Sequence, residues 1–145
     1  MAVSAFQYGL FQKSVWNKEV DLDSDVIKVM LCTSTYTPNQ DTHQYKSSVT
    51  NEVTGTGYTA GGATLGSTVV AYTAGTNTLN FDAADTVWTT STITARYAVV
   101  YDSTPGTDAT RPLICYIDFG ADVISSGGNF TIAWDPAGII SVTVA

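Results

Sequence analysis

From residue 85 to residue 144 the chain alternates short Thr-rich apolar runs with turn residues, and this pattern leaves few folds open. The runs cover residues 86–92, 95–101, 113–119, 130–134 and 139–144. β-Branched and aromatic side chains fit a pleated, half-buried surface. Between the runs stand 103–106 (Ser-Thr-Pro-Gly), 118–120 (Asp-Phe-Gly), 125–128 (Ser-Ser-Gly-Gly) and 135–138 (Asp-Pro-Ala-Gly), each a turn signal. Short strands at this spacing predict an antiparallel β-sandwich or a barrel-like domain. Two earlier runs, 63–72 and 76–81, read as a hairpin about Ala74 and Gly75. Residues 26–33 read as a mostly buried strand.

The N-terminus reads differently. Ser4 and Gln7 have the spacing of a capping box. Val3 precedes that cap, and Tyr8, Phe11 and Val15 follow on one helical face. This predicts one α-helix that ends near Asn17. Residues 34–62 form a long polar connection, of a length that usually serves a purpose. Its glycine-rich end, 55–62, reads as a flexible link or a close backbone contact. The expected organisation is one domain over residues 1–145: a helical arm at 1–20, then a β-sandwich at 21–145 carrying the long loop 34–62.

Composition narrows the partners. The chain has 145 residues and a net charge of −7, with six basic residues scattered along it. Nucleic-acid binding needs clustered Lys and Arg, so neither nucleic acid nor an anionic membrane is an expected partner. Residues 1–20 lack a basic stretch followed by an apolar one, so no signal peptide is expected and synthesis in a cytosol is. Cys32 and Cys115 each lie in an apolar run and read as buried thiols, although a bond between them stays open.

Candidate chemistry meets a simpler reading at each point. Asp21, Asp23 and Asp25 resemble the opening of a calcium loop, but Val26 and Cys32 occupy the positions of its Gly and Glu. A solvated acidic turn is the better reading. His43 is the single histidine, lies in a polar loop and reads as a surface residue. No nucleophile elbow accompanies it. Asp82, Asp85, Asp102, Asp118, Asp122 and Asp135 could supply a glycosidase pair, yet they stand at or near strand ends, where Asp serves turns. Trp16, Trp88, Trp134, Tyr97, Tyr101 and Tyr116 read as core ahead of a sugar platform. No catalytic residue, cofactor site or metal site is expected.

Four motifs carry a resemblance. They are Tyr45-Lys-Ser-Ser-Val-Thr-Asn-Glu-Val with its extension to Leu65, Arg96-Tyr-Ala-Val-Val-Tyr-Asp102, Leu113-Ile-Cys-Tyr-Ile-Asp-Phe-Gly120 and Asn129-Phe-Thr-Ile-Ala-Trp-Asp135. In order and spacing they resemble a family of small virion structural proteins of tailed bacteriophages, through nearly the whole chain. The resemblance implies a non-enzymatic virion protein, placed on the outer surface of the head as a decoration (cement) protein. Its implied partners are the major capsid protein and further copies of itself, for instance as a trimer. A tail component (tube, terminator or baseplate) and a carbohydrate-binding β-sandwich are the alternatives. Under the adhesive reading, the expected interface residues are Phe6, Tyr8, Phe11, Trp16, Tyr36, Tyr45 and Tyr58. The N-terminal segment and loop 34–62 are expected to become ordered on the capsid.

Overall fold

The structure is a computed structural model and describes residues 2–145; the Met1 end of the expected arm lies outside them. Among the described residues it is mainly β, with two antiparallel sheets and one α-helix, and no closed barrel forms. In chain order the elements are β1 (Ser4–Gln7), α1 (Gly9–Trp16), β2 (Ile27–Cys32), β3 (Ala63–Thr64), β4 (Val69–Thr73), β5 (Thr78–Asp82), β6 (Thr86–Asp102), β7 (Leu113–Ile132) and β8 (Ile140–Thr143). One sheet runs β1-β7-β6-β2-β3 and the other β4-β5-β8.

The last sixty residues do not form five short strands. Two strands, β6 and β7, pair along almost their entire length, from Thr86↔Ile132 to Tyr101↔Leu113. This ribbon folds back on itself. The rings of Phe119 and Phe130, on the same strand, lie 6.0 Å apart. A straight strand would separate these positions by about 36 Å. The corner is visible in the register: Tyr97 pairs with Asp118 and Ala95 with Val123, so Arg96 alone stands opposite residues 119–122. Gly120 takes φ 80° there. Asp118 Oδ1 accepts the Gly120 N–H at 2.8 Å and the Arg96 Nε–H at 2.5 Å, which pins the corner from both strands. Further irregularities lie between Trp88↔Phe130 and Ser91↔Gly128, where Thr90 has positive φ, and between Ser91↔Gly128 and Thr92↔Ser126, where Gly127 does. The Asp-Phe-Gly and Ser-Ser-Gly-Gly signals thus mark bends in a continuous ribbon, because the partner strand runs past them without reversing.

The N-terminus also departs from the expectation. Ser4 and Gln7 cap no helix; they are the ends of edge strand β1, which pairs with Cys115–Asp118 of β7. Tyr8 is the residue before the helix and has extended backbone with no side-chain cap. Cross-strand hydrogen bonds and burial of Tyr8 outweigh one local cap. Helix α1 ends one residue short of the expected Asn17, with Phe11 buried and Val15 half-buried.

The long connection is tied to the body. Along the outer edge of β2, Asn51 O accepts the Thr33 N–H and Leu31 O accepts the Val53 N–H. Ten residues later β3 takes over that edge at Lys28 and Val29. Between these contacts the Tyr58 hydroxyl accepts the Leu31 N–H at 3.0 Å. The edge of a buried strand is therefore covered, which satisfies its polar groups and blocks sheet extension. Residues 55–62 achieve this by close backbone approach. A Cβ on Gly62 would collide with Val29 O, and one on Gly55 with Thr92 O. Neither the N-terminal segment nor this loop is a free arm.

The core follows from these contacts. Val29, Leu31, Ala98, Val99, Val100, Leu113 and Ile114 have no exposed surface. Trp88 packs edge-on against Phe130 and nearly parallel to Tyr58. Where the ribbon folds back, Ser91 and Ser125 share a buried hydrogen bond of 2.7 Å.

Candidate interaction surface

The three-stranded sheet presents two different faces because its registers align. Tyr72 pairs with Leu79, and Leu79 with Val142; Val70 pairs with Phe81, and Phe81 with Ile140. Side chains alternate along a strand, so these six apolar residues share one face. The opposite face carries Val69, Ala71, Thr73, Thr78, Asn80, Asp82, Ser141 and Thr143, small or polar apart from Val69.

The inner row closes the domain. Phe81 is buried, and Val70 and Ile140 are half-buried against Phe11, Val15 and Leu22 across a narrow apolar groove of 130 Å³. The outer row overhangs that contact. Tyr72 is 57% exposed, Leu79 42% and Val142 37%. Gln12 lines the groove on the helix side. One turn beyond it, on the same flank of α1, stands Trp16, 84% exposed. No charged residue lies on β4 or β8. Charge-poor patches with Trp and Tyr at their centre are typical of protein contacts. The hydroxyl of Tyr72 donates to Asn77 Oδ1 at 3.1 Å, which fixes the ring at the hairpin tip.

The residues expected at an interface divide into three groups. Trp16 and Phe6 are exposed; Phe6 stacks on Tyr116 with ring centres 5.1 Å apart. Tyr8, Phe11 and Tyr36 are buried in the domain's own core and offer a partner no surface. Tyr45 and Tyr58 are half-buried, and their hydroxyls donate internally to Glu19 and Glu52. Among the six aromatics read as core, Trp16 is the clear exception. Tyr72, Leu79 and Val142 escaped the sequence reading. Their alternation is visible in the sequence, but the pairing of β5 with the distant β8 is not.

The histidine is half-buried rather than freely exposed. Its ring is half-buried beside those of Tyr36 and Tyr8. The Asn39 N–H donates to His43 Nδ1, so that nitrogen carries no proton. The Tyr36 hydroxyl then donates to the same atom at 3.0 Å, and Tyr8 donates to Tyr36 at 2.9 Å. Burial holds the imidazole below its ordinary pKa. This chain of hydrogen bonds ties β1 to the long connection.

The carboxylates serve the backbone. Asp82, Asp85, Asp102, Asp118 and Asp135 each accept a main-chain N–H. Within the acidic run, Asp21 accepts from Asp23 and Asp25 from Asp21, so the carboxylates brace their own turn. Among the described residues no group of three or more His, Cys, Asp or Glu is placed to hold a metal ion. Cys32 and Cys115 are free and buried, and burial pushes both thiols up to about 12. A 510 Å³ cavity opens beside β1, lined chiefly by Val3, Ala5, Ile117, Ile132, Trp134 and Ile139. Asp135, at its margin, is engaged with the Ala137 N–H at 2.8 Å. No family model, no curated protein and no solved structure matches the chain.

Proposed function

We propose that this chain is a non-enzymatic structural protein of a tailed-bacteriophage virion, and within the virion a decoration protein that binds and stabilises the outer surface of the head. The resemblance of residues 45–65, 96–102, 113–120 and 129–135 to small virion proteins supplies the virion context. The observation that carries the adhesive role is the uncharged apolar row Tyr72–Leu79–Val142 with Trp16 at its flank.

A cement protein works by removing surface from water between capsid subunits. Each 100 Å² of apolar area so removed contributes roughly 2.5 kcal/mol before association costs. Contacts too weak to last singly become lasting when many copies bind one lattice. Presentation on a rigid sheet limits the entropy lost on docking, since the outer row is already in place. The partner in this reading is the major capsid protein, with further copies of the chain at each site.

The test uses purified protein and undecorated heads. Addition should raise the melting temperature of the heads or their resistance to internal pressure. No binding to heads of any maturation state rejects the proposal, and assembly into rings or tubes by negative-stain microscopy would move the chain to the tail.

A further inference from the structure

Asp102 closes strand β6 with no exposed surface. Its Oδ1 accepts the Thr104 N–H at 2.8 Å, while its Oδ2 is buried without any hydrogen-bond partner. A buried carboxylate oxygen left bare is costly. Ile27 pairs with Asp102 and the Ser103 N–H bonds Val26 O, so Asp25, in the turn that leads into β2, comes up beside Asp102, and its carboxyl is the neighbouring acidic group. Asp25 is itself fixed, because its Oδ2 accepts the Asp21 N–H at 2.7 Å. Around the pair the two segments are laced together. Val26 O accepts both the N–H and the hydroxyl of Ser103, and the Thr104 hydroxyl accepts the Val26 N–H at 2.8 Å.

We propose that Asp102 keeps a proton that it shares in a hydrogen bond with the Asp25 carboxylate, and that this carboxyl–carboxylate bond latches the acidic turn to the end of β6 until rising pH removes the proton to solvent. The shared proton gives the bare oxygen its partner and leaves the pair with one charge in place of two. With the proton gone, two carboxylates meet where one has no access to water. The lacing of Val26 to residues 103 and 104 then loosens, and with it the base of the 103–112 loop.

Other charged groups do not neutralise the pair. Lys28 on β2 lines a separate cleft with Lys46, Asp108 and Arg111. There Asp108 binds Lys46 Nζ at 2.8 Å and Arg111 Nη1 at 2.9 Å. Asp21 and Asp23, the other charged residues of the turn, bring no positive charge to the pair. Burial, with the neighbouring Asp25 carboxyl in support, pushes Asp102 up to about 6 from the ordinary 3.8. Between those values the folded chain holds a proton that the unfolded chain has lost. The contribution to stability is therefore complete at low pH and fades as pH rises through about 6.

The experiment reads the Asp102 carboxyl carbon by NMR across pH, together with melting curves of wild type, Asp102→Asn and Asp25→Asn. The latch predicts a midpoint near 6 for Asp102 in the wild type. It predicts a lower midpoint in Asp25→Asn, a variant that keeps Asp102 intact should Asp102→Asn fail to fold. Asp102→Asn should melt above wild type at about pH 8 and lose that advantage at about pH 4.5. An Asp102 midpoint in the ordinary carboxylate range, or parallel melting profiles for wild type and Asp102→Asn, overturns the proposal. Calcium chloride that raises the melting temperature of wild type but not of Asp102→Asn also overturns it, since a divalent cation would then stand where the proton is placed. The outcome is independent of whether the chain binds heads.

Discussion

Replacing Gly62 by alanine tests whether the long connection is welded to the sheet. Gly62 has φ 79°, and an added Cβ would overlap Val29 O and come within 2.6 Å of Met30 Cα. Both obstacles are backbone of β2, which is buried and paired on its other side with β6, so neither can yield. The left-handed conformation costs an L-residue about 1–2 kcal/mol. Forcing atoms into a packed site adds about 1–3 kcal/mol. The neighbouring contacts move with the segment: Gly61 N–H binds Glu52 Oε1 at 2.6 Å and Tyr101 donates to Gly61 O at 2.7 Å. The sum is about 2–5 kcal/mol, or a fall in melting temperature on the order of 10 °C for a chain of this size. Gly66 and Gly75 serve as controls, since a Cβ at either meets nothing within 4 Å and neither has positive φ. Alanine there should leave stability unchanged or raise it by up to about 1 kcal/mol, by restricting the unfolded chain. Scanning calorimetry of the three variants decides the matter. A Gly62→Ala protein that melts with the controls would refute close backbone contact and return residues 55–62 to a flexible link.

Three further outcomes follow from the geometry. Trp16→Ala should leave the melting temperature of the isolated protein nearly unchanged, because the side chain is 84% exposed; co-sedimentation should show head affinity reduced at least about 30-fold if it anchors the contact. Tyr8→Phe removes the first hydroxyl of the Tyr8–Tyr36–His43 chain and should cost about 1 kcal/mol, read by urea denaturation. Partial burial holds the His43 pKa below its ordinary value, so the unfolded chain binds its proton more readily. Stability should fall as pH drops through the ordinary histidine value of 6.5. That limb should flatten in His43→Gln, and an unchanged pH profile would show that the ring is solvated.

The fold class was legible because strand propensity and turn chemistry are local. Residues 86–102 and 113–132 are extended, and the Gly-containing interruptions fall where the backbone bends. The sequence could not distinguish a bend from a reversal. Asp118 and Gly120 make the same local geometry in either case, and only the neighbouring strand decides whether the chain continues. The N-terminus shows the opposite failure. The Ser4–Gln7 spacing is a genuine helix signal, but seven residues of local preference weigh less than a sheet edge more than a hundred residues away. Tyr8, Phe11 and Tyr36, expected at a surface, are buried for a related reason. Aromatic side chains carry no mark that separates a core residue from an anchor, and burial is a property of what packs against them.

What the amino-acid sequence determined alone was the set of extended segments, their punctuation, and a net charge of −7. Those properties are set within a few residues by backbone sterics and side-chain chemistry. Tertiary structure decided that the ribbon doubles over, that the long connection covers the β2 edge, and that one end of the β4-β5-β8 sheet is left bare. It also set a buried carboxyl against another. Each of these depends on pairings between distant segments, where burial and register settle choices that local preference leaves equal.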